Sequence, residues 1–144
     1  MSHTRFLYHV VFATKDRLPL ISPEWENDLY RYLAGIVKNH EGDVIELNGM
    51  PDHVHILVRL EPCDFAAFMR ELKASSSRWA KRHEPKFMWQ RRYGAFTVSE
   101  SAVDTVRNYI RRQKEHHKKR TFHDEYVGLL RRHDVDFDER FVWE

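Results

Sequence analysis

Pro51-Asp52-His53-Val54-His55-Ile56-Leu57-Val58-Arg59-Leu60 reads as a turn followed by a β-strand in which two imidazoles stand two residues apart. Successive strand residues point to opposite faces of a sheet. Val54, Ile56, Val58 and Leu60 then form one apolar face, while His53 and His55 share the other and can converge on a single ion. The same spacing also suits two merely exposed or hydrogen-bonded histidines, so partners elsewhere in the chain must decide between the readings.

Upstream of this strand, Asp43 to Asn48 reads as another, joined through the turn Gly49-Met50-Pro51-Asp52. So short a connection makes the pair antiparallel. Further back, Arg5 to Thr14 alternates as a first strand, and Lys15-Asp16-Arg17-Leu18-Pro19 breaks it. Ser22 is placed as a helix N-cap with Pro23 at the first helical position. Trp25, Leu29, Tyr32, Leu33 and Ile36 keep helical spacing up to His40, where Gly42 ends the helix. Downstream, Asp64 caps a second helix with Phe65, Phe68, Met69 and Leu72 on its buried stripe, stopped at the latest by Pro85. Ala95 to Ser99 is a fourth strand, Ala102 to Lys119 a third helix and Asp124 to His133 a fourth.

The order β-α-β-β-α-β followed by α-α predicts an α+β, ferredoxin-like fold: a split β-α-β (RRM-like) antiparallel sheet with C-terminal helices added. Right-handed crossovers put both early helices on one face. That packing consumes the Val54/Ile56/Val58 face and leaves the His53/His55 face uncovered unless the C-terminal helices or another chain close over it. The acidic tail from Asp134 to Glu144 contains Phe137, Phe141, Val142 and Trp143, and is expected to pack against something.

With 144 residues, 42% of them hydrophobic, the chain suits one compact domain over 1–144, with a helix at about 102–119 and a C-terminal helix and tail at about 121–144. Its single cysteine, Cys63, excludes an intrachain disulfide, and no Cys/His cluster has zinc-finger spacing. No apolar leader or membrane-length stretch is visible, so a soluble, cytoplasmic protein without membrane partners is expected. The net charge is only +2, yet the basic residues cluster in 78–83, 90–93 and 111–120, while 121–144 holds three Lys/Arg against seven Asp/Glu. Such clusters suit a polyanion, and interleaved Trp79, Trp89 and Tyr93 could stack on unpaired bases. Any one run is more commonly a solvated helix face.

The third helix carries Asn108-Tyr109-Ile110-Arg111-Arg112-Gln113, in which Tyr109 and Gln113 form an i, i+4 pair. Val103, Val106 and Ile110 define its buried stripe, with Tyr109 at the boundary, able to reach a cleft.

At this point the chain resembles the single-tyrosine HUH (His-hydrophobic-His) transposases of small prokaryotic insertion sequences, the IS200-like group, to which the REP-associated tyrosine transposases are close. The matching residues are Pro51 to Val58, Asn108-Tyr109-Ile110 with Gln113, Tyr93-Gly94-Ala95-Phe96-Thr97-Val98-Ser99, and the opening His9-Val10-Val11-Phe12-Ala13-Thr14-Lys15. The resemblance implies that His53, His55 and Gln113 hold a divalent ion, magnesium or manganese, though imidazole suits manganese better than magnesium. It implies that Tyr109 is the catalytic nucleophile, attacking a scissile phosphate to leave a 5′-phosphotyrosine and a free 3′-hydroxyl. It also implies single-stranded DNA with hairpin ends as substrate, and a homodimer in which active sites can assemble in cis or in trans. Candidate DNA contacts are Lys15, Arg17, Arg78, Lys81, Arg82, Arg91, Arg92, Arg111 and Arg112. Two rival readings keep the scaffold and change the chemistry: a non-catalytic single-strand-binding module, and a hydrolytic metal phosphodiesterase in which water attacks.

Overall fold

The computed structural model describes residues 3–138 and Val142. Strands β1 (Phe6–Ala13), β2 (Asp43–Met50), β3 (His53–Leu60) and β4 (Gly94–Thr97) form one antiparallel sheet in the order β2-β3-β1-β4. Helices α1 (Glu26–Asn39) and α2 (Phe65–Ala80) cover one face. There Val10 and Phe12 of β1 and Val54, Ile56 and Val58 of β3 bury against Leu29, Leu33, Val37, Phe68, Met69 and Leu72. Each such side chain contributes roughly 1.5–3 kcal/mol by leaving water. The expected ferredoxin-like order is therefore present.

The second face is covered as well, by the C-terminal helices of the same chain. Helix α5 (Phe122–Arg132) lays Phe122, Tyr126, Leu129 and Leu130 on Val11, Ala13 and Phe96, with Phe137 and Val142 of the tail packed beside them. Phe141 and Trp143 lie outside the described residues. Two covered faces explain why Val10-Val11-Phe12-Ala13 is an unbroken apolar run instead of an alternating one.

Several boundaries differ from the expected ones, each for a local reason. Ser22 accepts the Glu24 amide at its hydroxyl and the Trp25 and Glu26 amides at its carbonyl, so a turn precedes the regular helix, which begins at Glu26. At the other end of α1 the left-handed residue is Glu41, with φ 59, and not Gly42. The Gly42 amide reaches Val37 O and the Glu41 amide reaches Lys38 O, the paired bonds of a Schellman ending. Gly42 is needed for a different reason, since a Cβ there would stand 2.7 Å from the Arg59 carbonyl oxygen. β2 runs on to Met50, which pairs with His53, leaving Pro51-Asp52 as a two-residue connection. Here Gly49 is the constrained position, because a Cβ would meet the His53 carbonyl oxygen at 2.2 Å.

The largest difference concerns the expected helix 102–119, which is broken into α3 (Val103–Arg111) and α4 (Gln113–His116) at Arg112, φ −94 and ψ 17. Strand β2 causes the break. Asn48 Nδ2 donates to the carbonyls of Ile110 and Arg111, at 3.2 and 3.1 Å, and Lys114 Nζ donates to Gly49 O at 2.6 Å. These donors satisfy carbonyls at the end of α3 that the helical ladder leaves without a partner. α5 then starts at Phe122, earlier than the expected Asp124, because Thr121 caps it by accepting the Asp124 amide. Among the described residues no helix is long and apolar enough to cross a membrane.

Candidate active site

β3 presents His53 and His55 to the face beneath α4 and α5, and both side chains are wholly buried, as is Gln113. His53, His55, His117 and Gln113 all converge on the carboxylate of Glu125. His53 Nε2 lies 3.0 Å from Gln113 Oε1 and 3.5 Å from Glu125 Oε1. His55 Nε2 lies 3.0 Å from Glu125 Oε1. His117 Nε2 meets Gln113 Oε1 at 3.2 Å and Glu125 Oε1 at 3.1 Å. Gln113 Nε2 donates to Glu125 Oε2 at 2.8 Å, which turns its amide oxygen toward the histidines. Tyr109 Oη donates a hydrogen bond to the same Glu125 Oε2.

The second ring nitrogens are also engaged. His53 Nδ1 bonds Asp52 Oδ1 at 2.7 Å, and the ring stacks on Phe122 at 3.7 Å. His55 Nδ1 shares a 2.8 Å hydrogen bond with His9 Nε2. These contacts decide the electrostatics. Burial works to raise the Glu125 carboxyl, but hydrogen bonds from His117, His53 and His55 overcome it and hold the group well below the usual carboxylate range. Burial lowers His53, yet Asp52 and Glu125 outweigh it and the ring's pKa rises above its ordinary value. His55 and His9 are shifted the other way, chiefly by burial. Burial and the neighbouring Glu125 charge push the Tyr109 phenol up.

The donor set fits a divalent cation. Ligand atoms about 2.1 Å from an ion stand roughly 3.0–3.4 Å from one another at octahedral or tetrahedral angles. The His53–Gln113, His55–Glu125, His117–Gln113 and His117–Glu125 separations fall in that range, His53–Glu125 at 3.5 Å lies just outside it, and His53, His117 and Glu125 form a compact group of potential ligands. Protons hold these lone pairs together in the metal-free protein, and a cation can take their place.

All four residues singled out as site chemistry, Tyr109, His53, His55 and Gln113, come together within one chain. Glu125, His117 and His9 were not singled out. His117 stood in a basic run, Glu125 has no local signal on its helix, and His9 was only part of a strand motif. The candidate DNA contacts are dispersed. Lys15, Arg17, Arg78, Lys81, Arg82, Arg91, Arg92, Arg111 and Arg112 are all exposed. Lys81 Nζ donates to Phe87 O, and Arg111 faces Glu46. Arg17 borders a cleft of about 670 Å³ that also includes Asp52, His117, Lys118, Lys119 and Arg120 and opens beside the buried cluster. Trp89 is not a platform for bases: it is buried against Phe12 and Phe87, with Nε1 donating to Ser76 Oγ at 2.9 Å.

The site thus joins a histidine pair on the sheet to a tyrosine from a C-terminal helix, both meeting at Glu125. Residues 2–113 match the family described as "Transposase IS200 like", and the chain belongs to that family. It is 28% identical over 117 residues to the ISDra2 transposase TnpA of Deinococcus radiodurans, spanning 75% of this chain and 84% of that one. It is 26% identical over 129 residues to the transposase of insertion sequence element IS200 of Salmonella typhimurium, spanning 82% and 84%. Among solved structures, a transposase from Deinococcus radiodurans R1 is similar with a TM-score of 0.64 at 27% identity, covering 78% of this chain and 93% of that one. A REP-associated tyrosine transposase bound to a REP hairpin shares the fold, with a TM-score of 0.64 at 17% identity over 81% and 74% of the two chains. Glu125 and His117 lie beyond the family match.

Proposed function

We propose that this transposase, acting as one domain over residues 1–144, cleaves and rejoins single-stranded DNA through a covalent tyrosine intermediate. The observation that carries the reading is the meeting of Tyr109 Oη, Gln113 and both histidines at Glu125. A divalent ion, manganese or magnesium, would be held by His53, His55 and Gln113 with His117 and Glu125 beside them, and would polarise the scissile phosphate as a Lewis acid.

Tyr109 supplies the nucleophile. Its Oη–P bond forms as the P–O3′ bond breaks, leaving a 5′-phosphotyrosine, while the departing 3′ oxygen takes a proton and becomes a hydroxyl. The phosphodiester linkage is conserved, so a second 3′-hydroxyl can reverse the step and join new ends. Glu125 orients the phenol and is the carboxylate placed to receive its proton. Because the phenol is pushed up and the carboxyl held down, that transfer is uphill at rest and belongs to the attack itself.

The basic cleft at Arg17, Lys118, Lys119 and Arg120 is the side from which a strand would approach. The ligand atoms are enclosed, so the site must open for a phosphate to reach them. DNA with hairpin ends as substrate, and a homodimer as working unit, follow the family resemblance.

Incubation of the protein and its Tyr109→Phe variant with labelled single strands bearing the element's ends, plus Mn²⁺, followed by a denaturing gel, tests the reading. A shifted covalent band with the parent only is expected. Cleavage by both proteins without an adduct would establish hydrolysis by water instead, and binding without cleavage would leave a binding module.

A further inference from the structure

His9 has no assigned role, although it is buried and polar in the middle of the central strand. It lies on the same face as His55: Val11 of β1 pairs directly with His55, and His9 stands diagonally across from it, two residues away. Its Nε2 is 2.8 Å from His55 Nδ1, with the rings tilted by 31° and their centroids 5.1 Å apart.

The need for such a neighbour follows from the chemistry of imidazole. His55 Nε2 faces the Glu125 carboxylate, which can only accept, so in the metal-free protein that nitrogen carries the proton. A ligand nitrogen must present a lone pair. Once an ion takes Nε2, the proton of a neutral ring sits on Nδ1, and a buried N–H without an acceptor costs free energy. His53 meets the same requirement through Asp52, its sequence neighbour. Beside His55 Nδ1, the group in hydrogen-bond range among the described residues is His9 Nε2. His9 can turn its own proton to the other edge of its ring, where it borders a cavity of about 280 Å³ shared with Thr97, Thr105, Tyr109, Arg132 and His133.

We infer that His9 is a positioning residue of the metal centre: it accepts the Nδ1–H of His55 and so fixes the tautomer and ring angle in which His55 Nε2 binds the ion. The inference rests on the metal reading above. Partners of this kind are typically worth about 10–100-fold in metal affinity.

The test uses full-length protein without DNA. Mn²⁺ affinity is measured by calorimetry for the parent, His9→Leu, His9→Gln and His53→Ala, and the His55 tautomer is read from ¹⁵N imidazole shifts in the Zn²⁺-loaded protein. The expected result is a roughly 10–100-fold loss in His9→Leu, recovery to within a few-fold in His9→Gln, whose amide oxygen can replace the acceptor, and an Nδ1–H tautomer at His55 in the parent. Thermal melts check that both His9 variants fold. Should His9→Leu misfold, the His9→Gln affinity and the parent tautomer still decide. Unchanged affinity in His9→Leu, or an Nε2–H tautomer at His55 in the loaded parent, overturns the inference while loss of binding in His53→Ala keeps the metal reading intact. If the parent binds no better than His53→Ala, the metal reading itself fails and this inference falls with it.

Discussion

Glu125 changes what the paired histidines can do, because imidazoles and an amide bring no negative charge to a cation and a carboxylate does. Replacing it by glutamine keeps the shape and removes the charge. Glu125→Gln is expected to weaken Mn²⁺ binding by at least about tenfold, read by calorimetry. His53 sets the pH dependence. Its pKa is raised by Asp52 and Glu125 despite burial, so the contribution of its imidazolium to metal-free stability is fully present below the ordinary histidine value and is lost as pH climbs through the raised one. Metal affinity has the opposite sign: the imidazolium must give up a proton to become a ligand, so Mn²⁺ binding strengthens from pH 6 to pH 8 with release of protons to buffer. Calorimetry in buffers of different ionisation enthalpy would show it, and a flat profile would contradict the His53 assignment. At this scale the alternation His53-Val54-His55 and the Tyr109/Gln113 spacing were legible, since both lie within single elements. Glu125, His117 and His9 were not. Their meaning comes from contacts to β3 across long stretches of chain, which no local pattern encodes.

Elements show the same division. Helices α1 and α2 and the four strands could be read from periodicity, caps and turns, because a buried face repeats every 3.6 or 2 residues. The break between α3 and α4 could not, because Asn48 of β2 makes it from outside the helix. The break is consequential: it leaves Tyr109 at the end of one helix and Gln113 at the start of the next, with both still directed at Glu125. Asn48→Ala removes the donor to two carbonyls and is expected to cost about 1–2 kcal/mol, lowering the thermal midpoint by several degrees. It should also weaken Mn²⁺ binding, since Gln113 loses its fixed approach. A variant with parental stability and affinity would show that the break has another origin.

For the whole molecule, a nearly neutral net charge conceals a division of labour. The sheet's first face is a conventional apolar core, and the second combines an apolar half under α5 with a polar cluster under α4. Basic side chains gather where that cluster meets solvent, at Lys118, Lys119 and Arg120. Single-strand binding measured by fluorescence anisotropy should therefore weaken with salt. In a Lys118→Ala/Lys119→Ala variant the slope of log affinity against log salt should become shallower by up to about 1.4, roughly 0.7 for each lost phosphate contact. An unchanged slope would move the DNA path elsewhere on the surface. The central claim, however, is that one phenol becomes covalently linked to DNA. After reaction with a single strand carrying the element's ends, trypsin digestion and mass spectrometry should find the peptide Asn108-Tyr109-Ile110-Arg111 bearing a 5′-phosphodeoxynucleotide on Tyr109. Cleaved DNA with free ends and an unmodified 108–111 peptide would contradict the account.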